Sequence, residues 1–145
     1  KNKMQNWILY GIAASVFFAV NTIVYKVAAQ KGNFSPYYGS FIFGLGVVLL
    51  FGILLIFKPG FSFEWKSSSL AMIAGVIWGL GFLAIAVAIS KGGNVAQLAP
   101  IYNTNTILAV ILGIIFLKEI PDVSQVYRII SGAVLIVIGS VLVSV

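Results

Sequence analysis

The chain has 145 residues, 61% hydrophobic and only 8% charged, with nine basic against three acidic side chains for a formal charge of +6 and a mean hydropathy of +1.10. Soluble domains average about 25% charged residues, so this composition excludes a water-covered globule and points to lipid as the solvent. With neither cysteine nor histidine, disulfides, Cys/His zinc sites and thiol- or imidazole-dependent triads are excluded, and the basic excess reads as membrane topology rather than as a nucleic-acid signal.

A helix that crosses about 30 Å of hydrocarbon needs about 20 mostly apolar residues, and five stretches reach that length. The first covers about 5–29 and is closed by Gln30-Lys31-Gly32-Asn33. Ser35-Pro36 opens the second, about 36–57, because a proline in a first turn gives up no needed hydrogen bond. Lys58-Pro59-Gly60 stops it, and a connector with Glu64, Trp65 and Lys66 leads through the N-cap supply Ser67-Ser68-Ser69 into the third span, about 68–90. Lys91-Gly92-Gly93-Asn94 precedes the fourth, about 95–117, and Lys118 to Asp122 precede the fifth, about 123–145. The expected fold is an all-α integral membrane protein: a single transmembrane domain over 1–145, five helices, short connectors that make consecutive helices antiparallel neighbours, and termini on opposite sides. The first span is too long for a signal-peptide core, and the continuous apolar runs lack β-barrel alternation.

Six basic residues (Lys1, Lys3, Lys58, Lys66, Lys118, Arg128) fall on the side of the N-terminus and three (Lys26, Lys31, Lys91) on the other. The positive-inside rule then favours a cytoplasmic N-terminus, by a margin that leaves dual insertion open. The terminal Val145, with no polar tail, hints that the chain continues or was trimmed.

Polar groups inside the spans are the candidate site, since they are costly in hydrocarbon and normally face a cavity or another helix. The fourth span holds Gln97, Pro100 and the run Tyr102-Asn103-Thr104-Asn105-Thr106, which is polar most of the way round. Pro100 strains the preceding turn and frees a carbonyl near Ala96, so a helix kink is expected there. Asn21 lies about 12 Å inside the first span, the same depth as the Tyr102–Thr106 run if both are measured from one face. Tyr25 is one turn further on, and Lys26 either projects into a cavity or snorkels to the interface. In the third span Trp78, flanked by Gly75, Gly79 and Gly81, is too deep for the interfacial belt. Against this stands a plainer reading, in which Asn and Thr only join neighbouring helices and the Gly75/Gly79, Gly132/Gly139 and Ser140/Ser144 pairs are packing surfaces. Tyr37, Tyr38, Trp7 and Trp65 read as interface anchors. Glu64, Glu119 and Asp122 all lie in connectors, so the intramembrane carboxylate common in proton exchangers is missing and no catalytic or metal-ligand cluster can be assembled. An enzyme is not expected, nor a cofactor.

The segments Ala86 to Ala96, Ala99-Pro100-Ile101-Tyr102, Phe116 to Pro121 and Gly132-Ala133 through Ile138-Gly139 resemble, in that order, the small-residue third helix, Pro-bearing fourth, its acidic closing residue and the glycine-bearing fifth helix of the drug/metabolite transporter superfamily, EamA type. Where that family often has Trp-Gly in its first helix, this chain has Phe17-Phe18-Ala19. The resemblance implies one five-helix repeat of a pair that is usually inverted, hence a homodimer, parallel or antiparallel, with alternating access. It implies a small secondary transporter of an organic metabolite or drug-like solute in a prokaryotic plasma membrane. Asn21, Tyr25, Lys26, Trp78, Gln97, Tyr102, Asn103, Asn105 and Thr106 are the candidate substrate contacts. A non-transporting membrane subunit and a lipid translocator are the alternatives.

Overall fold

The computed structural model describes the backbone of residues 3–58, 60, 63–118 and 123–144, and side chains for 7–58, 60, 63–118 and 125–143. It is all-helical among these residues: α1 (Lys3–Gly32), α2 (Pro36–Phe57), α3 (Trp65–Ser90), α4 (Val95–Tyr102), α5 (Asn105–Phe116) and α6 (Val123–Ser144). Five spans are long and apolar enough to cross a membrane, α4 and α5 together making the fourth. The expected fold class therefore holds. Helix ends differ in three places. α1 continues through the polar residues Gln30 to Gly32, because Asn33, in the left-handed region (φ 44°), is what ends it. α3 starts at Trp65, not Ser68. Glu64 stands at its N-cap and its carboxylate accepts from Ser67 Oγ, so the serine run lies inside the first turns. The third difference is the break between α4 and α5. The C-terminal Val145 of the expected fifth span, like Glu119 to Asp122, lies outside the described residues.

Local chemistry sets the other boundaries. Ser35 caps α2 by accepting from the Tyr38 N–H at 3.2 Å, with Pro36 in the first turn as expected. Asn94 caps α4 by accepting from the Ala96 N–H at 3.2 Å. α3 is followed by Gly92 in the left-handed region (φ 91°), a conformation that a side chain would strain.

The chain divides into two compact units, Lys1–Gly92 and Gly93–Val145. In the first, α3 packs against α2 and α1. Phe82, Ala86 and Ile89, at positions i, i+4 and i+7, are the buried stripe of α3, and Thr22, Tyr25 and Gly39 are buried on α1 and α2. In the second unit, α6 packs along both α4 and α5. Here the buried positions are Ala133 and Ser140, one residue on from the glycine pair Gly132/Gly139. A Cβ at Gly132, Gly139, Gly75 or Gly79 would meet nothing within 4 Å. The packing face of α6 is thus rotated by about 100° from the glycines, and Gly75/Gly79 packs against no other described helix of the first unit. Two embedded hydroxyls bond within their own helix, Thr22 Oγ1 donating to Phe18 O at 2.9 Å and Ser140 Oγ to Val137 O at 2.7 Å, whereas Ser40 Oγ on α2 is enclosed without a partner among the described residues.

Candidate functional site

In the first unit six aromatic side chains form one connected set. Phe43 of α2 stacks on Phe82 of α3 (centroids 3.9 Å, planes 11° apart) and on Trp78 (5.5 Å, 29°). Tyr25 of α1 meets Phe82 edge-on at 4.9 Å and, from further away, Phe43 (6.5 Å) and Phe34 (6.3 Å). Phe34, in the turn between α1 and α2, reaches Tyr38 at 6.1 Å. Edge-to-face pairs put positive ring edges against negative faces, which fixes orientation in a medium where burial alone gives little preference.

Gly39 makes this arrangement possible. A Cβ there would fall 2.6 Å from Tyr25 Oη and closer still to Phe34, whose ring also lies 2.5 Å from where a Cβ of Gly32 would be. The ring of Phe34 is seated on two glycine backbones.

Beside this set lies a half-open cleft of about 280 Å³, lined on α1 by Asn21, Val24, Tyr25 and Ala28 and opposite by Phe34, Tyr38, Gly39, Ile42 and Phe43. Counted along α1 to Gly32, Asn21 is about 16 Å from the helix end, deeper than the expected 12 Å because the helix is longer. The expected pairing of Asn21 with Tyr25 on one face is present. Lys26 is half-buried and does not line this cleft; Trp78 is 47% exposed and stands behind Phe43. Phe34, Gly39, Phe43 and Phe82 were not among the expected site residues, and Tyr38 was read as an anchor. The available signal was the spacing of four that aligns Phe34 with Tyr38 and Gly39 with Phe43 across the first turns of α2.

In the second unit the fourth span is two helices. Pro100 lies inside α4, and the interruption follows it, at Asn103 and Thr104. The backbone there is held by i→i+3 bonds, Thr104 N–H to Ile101 O at 3.2 Å, Thr106 N–H to Asn103 O and Ile107 N–H to Thr104 O, both at 3.1 Å. Thr104 Oγ1 donates to Ile101 O at 2.7 Å, taking a carbonyl that a continuous helix would use for its own ladder. The expected kink at Pro100 is thus displaced by about one turn. Tyr102 is half-buried, whereas Gln97, Asn103, Asn105 and Thr106 are exposed in this chain. α4 measures about 12 Å and α5 about 18 Å, so the break falls near the middle of the span.

No group of three or more potential metal ligands occurs among the described residues. Compared with known proteins, residues 5–145 match the family model of the EamA-like transporter family. An uncharacterized protein of Methanocaldococcus jannaschii is 29% identical over 143 residues, 98% of each chain. No solved structure matches. With five membrane-length helices and a family match across nearly its whole length, this multi-pass membrane protein belongs to the EamA-like transporter family.

Proposed function

We propose that the protein is a small secondary transporter that moves an organic solute across a prokaryotic plasma membrane by alternating access, acting as a homodimer that is either antiparallel or parallel with both N-termini cytoplasmic. The observation that carries this reading is the break at Asn103–Thr104. Discontinuous helices near the bilayer midplane are where secondary transporters bind substrate, because irregular backbone at that depth is tolerated only beside protein or a polar cavity. Asn103, Asn105 and Thr106 cluster at the break without cover from this chain, and an unpaired amide in hydrocarbon costs several kcal/mol. A solute in a polar lumen meets that need. Inverted-repeat transporters enclose their site between two repeats, and the 98% coverage of an archaeal relative with room for one such repeat supports a dimer.

The test is efflux from proteoliposomes preloaded with a panel of labelled amino acids, phenols and nucleosides. For whichever solute the native protein moves, the double variant Asn105→Ala, Thr106→Val is expected to be slower by about tenfold or more, two lost hydrogen bonds being worth about 1–3 kcal/mol. Unchanged flux in a correctly inserted double variant would remove these residues from the site. C-terminal reporters active on one side only, combined with crosslinking, test the dimer. Signal from both sides plus a crosslinked pair is expected for an inverted dimer and from one side plus a pair for a parallel one. No crosslinked pair in either case defeats the dimer.

A further inference from the structure

The cleft of the first unit carries chemical information that the break does not. Four aromatic side chains, Tyr25, Phe34, Tyr38 and Phe43, and one carboxamide, Asn21, line it, and no charged side chain does. At about 280 Å³ it sits at the lower edge of the roughly 300–1,000 Å³ typical of small-molecule sites, so its occupant is smaller than a drug.

Two polar groups in it lack partners. Tyr25 is 7% exposed, yet no hydrogen bond to its hydroxyl, or to the Asn21 carboxamide, is found among the described residues. Neither atom is sealed off, Asn21 being half-buried and Ser40 Oγ being the enclosed hydroxyl without a partner among the described residues, but at membrane depth each gains from a hydrogen-bond partner. A ligand with one hydroxyl or amide, seated among rings, supplies it.

We infer that this cleft binds an uncharged solute of the phenol class, its ring packed among Tyr25, Phe34, Tyr38 and Phe43 and its polar group hydrogen-bonded to Asn21 or Tyr25. Charge argues for this class over its rivals. A zwitterion or an anion would lose its hydration with no cationic lining group to replace it. A quaternary ammonium ion would have the rings but no carboxylate, since no acidic residue lines the cleft and the net charge is +6. An acyl chain would leave both polar groups unpaired.

The inference rests on the transporter reading for its purpose, but binding is measured without flux, so the two fail separately. The purified full-length protein in lipid nanodiscs is titrated with radiolabelled p-cresol, against empty nanodiscs as the partition control. Saturable binding is expected, displaced by unlabelled p-cresol and benzyl alcohol and at least tenfold less well by benzyltrimethylammonium or L-phenylalanine. Asn21→Leu, close to isosteric, is expected to weaken binding at least fivefold, while Gly46→Ala, in open space on α2, leaves it unchanged. Uptake no greater than that of empty nanodiscs overturns the inference. Stronger displacement by the ammonium ion makes the cleft a cation cage, and stronger displacement by dodecanol makes it a lipid-chain site; either also overturns it. Unaltered binding in Asn21→Leu removes the carboxamide and defeats the stated mode. Flux of another solute through a protein that does not bind p-cresol would leave the transporter reading standing.

Discussion

Phe82→Ala is expected to destabilise the membrane-embedded protein by about 2–4 kcal/mol, the largest loss from any single truncation in the first unit. In water a buried Phe→Ala change costs about 3–5 kcal/mol, much of it transfer free energy. Lipid removes most of that part, because an alkyl chain is as apolar as the protein interior. What remains is contact. Phe82, 8% exposed, touches three rings, Phe43 at 3.9 Å, Tyr25 at 4.9 Å and Trp78 at 5.9 Å, and each aromatic pair is worth about 0.5–1.5 kcal/mol beyond area. Thermal unfolding in mild detergent, followed by size-exclusion chromatography, measures the loss. Phe41→Ala is the control, because Phe41 is 62% exposed and belongs to none of these ring pairs. Equal midpoints for the two variants would mean that the aromatic set does not hold the unit together.

Gly39→Ala is the second large effect, with a sign that propensity alone gets wrong. Alanine in place of glycine in a helix gains about 1 kcal/mol where space is open. At Gly39 the new methyl lands 2.6 Å from Tyr25 Oη and nearer still to Phe34, and overpacking of this kind costs about 1–3 kcal/mol. A net loss is expected, together with closure of part of the cleft. Gly46, two turns along the same helix, has nothing within 4 Å of its would-be Cβ, so Gly46→Ala is expected to be neutral or stabilising. Opposite signs within α2 would be hard to obtain from anything but the Phe34 and Tyr25 contacts. Adding Phe34→Ala to Gly39→Ala supplies a double-mutant cycle: recovery of the lost stability locates the strain, and simple additivity refutes it.

The fold was legible because the apolar runs in this chain are long and their punctuation is chemical. Ser35-Pro36 opens α2 as the sequence implies, and Gly92 and Asn94, within the polar break before the fourth span, mark helix ends by left-handed backbone and capping. Ser67 to Ser69 misled, because a serine at the third position of a helix can serve a glutamate cap as well as be one. In the fourth span the polar run was visible, but the position of its break was not. Pro100 removes a donor one turn upstream, and the chain yields where Thr104 competes for the Ile101 carbonyl. The aromatic set stayed hidden for another reason. Among 20 aromatic residues, composition cannot tell those facing lipid from those facing one another. Only the bare backbone of Gly39, against which Tyr25 and Phe34 close, separates them.

The broken fourth span also bears on how the protein is made. A translocon releases each segment into lipid according to its own apolarity, and of the five spans Val95–Phe116 is the least apolar. It carries Gln97, Asn103 and Asn105 and a turn of i→i+3 bonds in its backbone ladder, so it leaves the translocon poorly on its own. α6, which packs along both of its halves, is synthesised next. The last two spans are therefore suited to enter the bilayer together as a hairpin. Nascent chains that stop after Leu117 should be the ones that quality control removes.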